Sequence, residues 1–138
     1  MLKSFLNCKY IIVNESFQKK WNIKKKEKSI SDKIRLSEGD KHELAYLKDL
    51  KKKFKVLELK KKDLSREDKI KKTIDGMNKG VDIIHGGYLK AGQWVGEFDF
   101  LVRKEGLKSK FGKYDYEVVD TKNSSKTKPD HIIQIGMY

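Results

Sequence analysis

Apolar residues recur at helical spacing in the first half of the chain. Leucines at every third position predict a helix there: Leu44, Leu47 and Leu50. Ser37 is the expected N-cap, and the lysines at 51–53 suit the negative end of the helix dipole. Residues 18–35 are rich in lysine and serine and predict a solvated connection. Residues 1–36 as a whole carry no strong period, so the sequence predicts that the ordered core begins after them.

End signals predict a second helix. Ser65 with Asp68 resembles a capping box, and Gly80 is the expected C-terminal stop. Short apolar runs on either side of this helix predict strands over residues 54–59 and 81–85.

The pattern of the second half of the chain predicts a β-hairpin followed by a helix. Residues 94–102 give the strongest strand pattern, and 114–122 its partner, with a glycine-containing loop over 104–113 between them. A polar loop over 123–129 leads to a helix over 131–138. This order of elements predicts an α+β or α/β domain with a central mixed β-sheet flanked by helices.

Three polar residues on the two central strands carry the candidate chemistry. Asp120 and Lys122 are two positions apart and share one face of their strand, and in a hairpin Asp99 can lie across from them. Two adjacent carboxylates repel unless a cation lies between them, and their oxygens suit Mg²⁺ or Mn²⁺. A lysine beside them can position a water or stabilise a developing negative charge. The constellation therefore indicates phosphodiester hydrolysis.

The charge of the chain points to the same class of substrate. Lys and Arg number 33 against 20 Asp and Glu, which leaves a net charge of +13. Such a field attracts polyanions, nucleic acid first and an acidic membrane surface second, although a biased coding composition also yields lysine-rich chains. The lysines at 51–53, 55 and 60–62 are expected to form a solvated face that attracts phosphate.

Cysteine usage and the first residues bear on the cellular compartment. Cys8 is the only cysteine, so the chain makes no internal disulfide and a reducing cytoplasm is expected. Residues 1–13 fit neither a signal peptide nor a membrane span, so we expect a soluble cytoplasmic protein that does not bind membranes.

Four short motifs resemble those of the PD-(D/E)XK nuclease superfamily and, within it, of the RecB-like branch. They are, in chain order, Gly39-Asp40-Lys41-His42-Glu43, Gly96-Glu97-Phe98-Asp99, Val118-Val119-Asp120-Thr121-Lys122 and Gln134-Ile135-Gly136-Met137-Tyr138. The D-x-K tripeptide alone has little weight, but four motifs in this order, each on the expected type of element, are far more specific. Phe98 stands where the superfamily name has proline, and the RecB-like branch commonly has an apolar residue there.

The resemblance implies a role for each matched residue. Metal ligands would be His42 or, as the alternative, Glu43, together with Asp99, Asp120 and the backbone carbonyl of Thr121. Lys122 would orient and activate the attacking water. Gln134 and Tyr138 would brace the site or contact the DNA backbone. Glu97 is a possible accessory ligand from the residue pattern alone, since it shares a strand face with Asp99.

The resemblance also implies an overall function and organisation. Residues 37–138 would form a restriction-endonuclease-like nuclease core, with 1–36 as an N-terminal extension packed on it. The expected activity is Mg²⁺- or Mn²⁺-dependent hydrolysis of DNA in repair, recombination or defence, with a helicase or another domain as a possible partner. Because the last motif ends at Tyr138, where relatives usually continue, a truncated and inactive nucleic-acid-binding remnant is the alternative. A third hypothesis is that the chain is a small basic scaffold that binds protein or RNA.

Overall fold

The computed structural model describes residues 8–24, 27–61, 63–136 and 138. Within them the helices are α1 (Lys9–Phe17), α2 (Ile30–Lys51), α3 (Arg66–Asn78) and α4 (Pro129–Gly136). The strands are β1 (Val56–Glu58), β2 (Ile83–His85), β3 (Tyr88–Ala91), β4 (Trp94–Glu97), β5 (Phe100–Ser109) and β6 (Gly112–Val119). The predicted mixture of helices and strands is confirmed.

The strands form a four-stranded sheet and a separate two-stranded one. The larger sheet has the order β1-β2-β5-β6, and β3 pairs with β4. β1 and β2 are parallel, whereas β2 with β5 and β5 with β6 are antiparallel. The central sheet is therefore mixed, as the sequence predicts.

Helix α2 begins earlier than the sequence pattern indicates. Ser29 is its N-cap, with a hydroxyl that accepts a hydrogen bond from the Asp32 N–H at 3.1 Å, so the expected cap at Ser37 is wrong. The lysines and serines that predicted a loop are compatible with an exposed helix, because polarity predicts solvent exposure and does not distinguish a helix from a loop. α2 consequently spans residue 37, the predicted start of the core.

Helix α3 follows its end signals. Ser65 is the N-cap, and its hydroxyl accepts a hydrogen bond from the Asp68 N–H at 3.1 Å, which confirms the capping interaction. The chain then turns at Gly80, which has φ +65°, a left-handed conformation that glycine adopts without strain.

The predicted strand over 94–102 is two strands that belong to different sheets. The chain leaves β4 after Glu97 and enters β5 at Phe100. At the break, the Phe98 N–H donates to the carbonyl of Gly87 and the Gly86 N–H donates to the carbonyl of Asp99, at 3.2 and 2.8 Å. β3, which the sequence analysis did not predict, is the partner of β4.

The hairpin between β5 and β6 is longer and tighter than expected. The strands extend to Ser109 and begin again at Gly112, so most of the predicted loop over 104–113 is paired strand. Gly112 has φ +117°, and a register irregularity lies between Glu105 and Ser109. The lysines of this segment are compatible with strand because they lie on a solvated surface.

Both faces of the central sheet are covered. Ile83 and Ile84 are fully buried neighbours on β2 and belong to different core clusters, as expected for side chains that alternate along a strand. Ile83 packs with Leu47 of α2, and Met77 of α3 packs against the cluster of Ile84. Each such fully buried side chain contributes about 1.5–3 kcal/mol, which fixes the strand ends relative to the helices.

Among the helices that the structure describes, none is long and apolar enough to cross a membrane.

Candidate active site

The ends of four neighbouring strands bring the candidate residues to one end of the central sheet. In the paired register, a single row crosses the sheet through Glu58, His85, Phe100 and Val119. Asp99 immediately precedes β5 and Asp120 immediately follows β6, so the predicted strand over 114–122 ends at Val119 and neither Asp120 nor Lys122 lies on it. Lys60 lies two residues beyond the end of β1. The sheet thus gathers an acidic and basic cluster from segments that are far apart in sequence.

Asp99 is held by the segment that follows β6. Its Oδ2 accepts hydrogen bonds from the N–H of Thr121 at 2.7 Å and from the hydroxyl of Thr121 at 2.9 Å. Thr121 therefore enters the site as a donor to Asp99 and holds that carboxylate in place.

Asp120 has a carboxylate that is almost completely removed from solvent. Its side chain is 2% exposed and forms an ion pair with Lys122, whose side chain is 31% exposed. The amide of Gln134 donates to Asp120 Oδ1 at 3.3 Å, so helix α4 also contacts this carboxylate. The ion pair joins Lys122 Nζ to Oδ2 of Asp120, and this oxygen is buried.

The two aspartates affect each other electrostatically. Burial raises the pKa of Asp99, the hydrogen bonds from Thr121 oppose this, and the charge of Asp120 raises it further. The net result is a pKa above the ordinary value of an aspartate. A positive charge near both carboxylates would relieve this repulsion.

Glu43, Lys60 and His85 form a second set of contacts next to Asp99. Lys60 Nζ donates to both carboxylate oxygens of Glu43, at 2.7 and 2.6 Å, and His85 Nε2 lies 2.7 Å from Glu43 Oε1. Burial favours the neutral form of Glu43, but the bonds from Lys60 and His85 outweigh it and lower the pKa of Glu43. Glu43 is consequently an ionised carboxylate in a nearly buried position.

A cavity of about 200 Å³ opens onto these groups. Its lining includes Glu43, Lys60 and Asp99, and the turn and strand-break residues Gly86, Glu97 and Phe98. Taken with Asp120 and Lys122, the site contains four carboxylates and two lysines among the described residues. The site is thus locally acidic within a strongly basic chain, which favours a cation inside and a polyanion outside.

Tyr138 closes the site from the side of the two-stranded sheet. Its hydroxyl donates to the carbonyl of Glu97, and its ring lies against Gly96, where a Cβ atom would overlap the ring. Burial raises the pKa of Tyr138, so it is a neutral hydrogen-bond donor at neutral pH. Gln134 and Tyr138 thus contact residues on either side of Asp99.

The structure separates the two candidate ligands on α2. Glu43 is buried and lies in the cluster, whereas His42 is exposed, and no hydrogen bond or ion pair within the described residues joins it to the site. Adjacent helical residues point about 100° apart, so only one of the two can face the sheet. Leu47, four residues after Glu43, is buried on the same face and sets the rotation of the helix.

Two residues of the cluster were missed at the level of sequence. Lys60 was grouped with the lysines of a solvated face, yet it is half-buried against Glu43. His85 is 3% exposed and stacks on Phe100 with ring centroids 4.8 Å apart. His85 could have been predicted as a site residue from its position at the end of an apolar strand, because a polar ring buried there requires a hydrogen-bond partner.

The donor set fits a hard divalent cation held by two carboxylates. Asp99 and Asp120 lie close enough for their charges to interact, and Lys122 is the cation that faces Oδ2 of Asp120. In the same described part, no group of three or more His, Cys, Asp or Glu side chains is placed so that it could hold a metal. Mg²⁺ commonly uses one or two carboxylates and completes its octahedral shell with waters and substrate phosphate, so Asp99 and Asp120 would be sufficient as its protein ligands.

Comparison of the chain with protein-family models, curated proteins and solved structures gave no match.

Proposed function

We propose that this chain is a metal-dependent deoxyribonuclease of RecB-like type with a restriction-endonuclease-like core. The observation that carries the proposal is the pairing of Asp99 with the nearly buried Asp120 at one end of the sheet, where burial and the charge of Asp120 raise the pKa of the Asp99 carboxyl. Two carboxylates that lie close together and out of water repel each other, and a divalent cation between them is the usual way to relieve this repulsion.

Asp99 and Asp120 would hold Mg²⁺ or Mn²⁺. When bound, such an ion acts as a Lewis acid and stabilises the negative charge that develops on a phosphodiester under attack by water. Lys122, which forms an ion pair with Asp120, would hydrogen-bond and orient the attacking water. Thr121 keeps Asp99 in its orientation, and Gln134 does the same for Asp120.

The electrostatics of the whole chain support DNA as the substrate. The net charge of +13 attracts a polyanion, while the local excess of carboxylates at the site favours the cation that hydrolysis requires. DNA repair, recombination or defence against foreign DNA are processes that use such an activity, and a helicase is the proposed kind of partner.

The test compares cleavage by the wild type and Asp120→Asn on single- and double-stranded DNA, with Mg²⁺ or Mn²⁺ and with EDTA. We expect metal-stimulated cleavage by the wild type and a loss of at least about 10²-fold in Asp120→Asn. Glu117→Gln is the matched control, because Glu117 lies on β6, the strand that leads to Asp120, and pairs with Lys104 on the surface.

Equal cleavage by the wild type and Asp120→Asn would refute the assignment. Salt-sensitive DNA binding without metal-stimulated cleavage would favour the inactive, nucleic-acid-binding alternative.

A further inference from the structure

The second cluster of the site presents its positive end to the cavity. The side chain of Glu43 is 9% exposed and that of His85 is 3% exposed, whereas the side chain of Lys60 is 45% exposed. The anion is thus at the buried end and the ammonium group at the open end. Of the described residues that line the cavity, Lys60 is the only one with a positive charge.

The position of Lys60 is fixed by its main chain as well as by its charge. Gly86 has φ +67°, and a Cβ atom there would overlap the Lys60 Cβ and lie 3.0 Å from its Cα and backbone nitrogen. The N–H of the preceding residue, Leu59, donates to the carbonyl of His85 at 2.8 Å. Close approach of two backbones at a glycine leaves Lys60 little freedom to move away from the cavity.

The ammonium group retains capacity for an anionic ligand. It carries three N–H donors, of which Glu43 accepts two. Burial favours the neutral form of Lys60, but Glu43 and, more weakly, Asp99 outweigh it and raise the pKa of Lys60. Lys60 is therefore charged at neutral pH and close enough to Asp99 for their charges to interact.

From this arrangement we infer that Lys60 is a substrate-binding residue whose ammonium group contacts a phosphate oxygen of the nucleic acid that enters the cavity. This inference rests on the proposed function, because it names the group that holds the substrate at the same site. A phosphate that approaches Asp99 meets carboxylates from Glu43, Glu97 and Asp99 itself. Lys60 supplies the attraction that the cavity otherwise lacks, while Lys122 remains paired with Asp120.

The experiment measures DNA binding in EDTA, so that it does not depend on cleavage. Fluorescence anisotropy with labelled single- and double-stranded oligonucleotides gives Kd over a series of salt concentrations. The variant is Lys60→Met with Glu43→Gln, which removes one charge of each sign and leaves no unpaired buried carboxylate at position 43. The net charge of the chain stays at +13.

We expect the double variant to weaken binding about tenfold, as for loss of a charged hydrogen bond. The slope of log K against log salt should fall by about 0.9 on duplex DNA and about 0.7 on single strands, the change for one lost phosphate contact. The matched control is Lys61→Met with Glu58→Gln, two exposed residues of the same segment, and it should keep the wild-type slope. Lys60→Arg should also keep it, because the charge is retained.

Circular dichroism and thermal unfolding establish that each variant is folded. If the double variant does not fold, Lys60→Met in a Glu43→Ala background provides the same comparison. Wild-type slope and affinity in the Lys60 variant, an equal loss in the Lys61 control, or no DNA binding by the wild type would each overturn the inference. DNA binding that depends on Lys60, in a protein without metal-stimulated cleavage, would refute the proposed hydrolysis and leave Lys60 as a phosphate contact.

Discussion

At the scale of single residues, Glu43 and Asp99 show that neighbouring groups determine the pKa of a carboxylate in this site. Glu43 and Asp99 are both removed from water, which by itself favours the neutral acid. Two cationic or hydrogen-bonding partners lower the pKa of Glu43, whereas the charge of Asp120 adds to burial and raises the pKa of Asp99. Asp99 is therefore the carboxylate that destabilises the metal-free fold at neutral pH.

This difference predicts the effect of Asp99→Asn on stability. A folded-state pKa above the unfolded value means that stability is present below the unfolded pKa and is lost as the pH rises through the folded pKa. In EDTA at neutral pH, Asp99→Asn should therefore be more stable than the wild type, and the difference should vanish as the pH falls to about 3. Urea unfolding of both proteins across this range measures the free energy of unfolding.

Glu117→Gln is the control for this comparison, since its carboxylate is exposed and should show little difference. Added Mn²⁺ should stabilise the wild type and not Asp99→Asn, because only a folded metal site gains from the ion. A lower stability of Asp99→Asn at neutral pH in EDTA would indicate that the Thr121 hydrogen bonds outweigh the repulsion.

At the scale of elements, the site depends on how helix α4 and strand β4 approach each other. Tyr138, two positions after the end of α4, lies against Gly96 and donates to the carbonyl of Glu97, and Gln134 of α4 reaches Asp120. The break between β4 and β5 then places Asp99 between these two contacts. A small residue at position 96 is thus required by the tyrosine ring.

Gly96→Ala should destabilise the protein by about 1–3 kcal/mol, because the added methyl group overlaps the ring of Tyr138. In a Tyr138→Ala background the same substitution should have little effect, and a double-mutant cycle of urea unfolding measures this coupling. Gly39→Ala is the control: within the described chain, apart from the helix's own nearby backbone, nothing lies within 4 Å of the added Cβ, and alanine is the better residue inside a helix. Additive effects of Gly96→Ala and Tyr138→Ala would contradict the contact.

The elements also show where prediction from sequence was sufficient. The N-cap at Ser65 was predicted correctly because capping depends on residues within one turn of the helix. The start of α2 was mispredicted because the helix begins in a segment whose exposed residues are polar, as in a loop. The division of segment 94–102 into two strands was not predictable from local pattern, because it depends on hydrogen bonds to residues 86 and 87. The partners of His85 and Lys60 required the register of four strands.

At the scale of the whole molecule, the charge of +13 acts on the fold as well as on ligands. Like charges repel in the compact state, and salt screens them over a Debye length of about 10 Å at 0.1 M and about 3 Å at 1 M. Added NaCl should therefore raise the midpoint of urea unfolding, with the largest gain at low salt.

The measurement is a set of urea unfolding curves at increasing NaCl concentrations. The control is a variant of lower net charge in which two exposed lysines from different surface regions are replaced, Lys61→Glu with Lys113→Glu. The salt dependence of this variant should be smaller. A midpoint that falls with salt would show that the surface ion pairs, such as Lys51 with Glu58, outweigh the general repulsion.

The amino-acid sequence by itself determined the properties that depend on composition and on short-range pattern. These are the positive charge, the mixture of helices and strands, the closeness of Asp120 to Lys122, and the expectation that Asp99 lies near them. Only the tertiary structure decided between His42 and Glu43 as the residue that faces the sheet, because the rotation of α2 follows from the burial of Leu47. It also decided that Lys60 and His85 belong to the site, because the ends of parallel and antiparallel strands meet through pairing over long sequence separations.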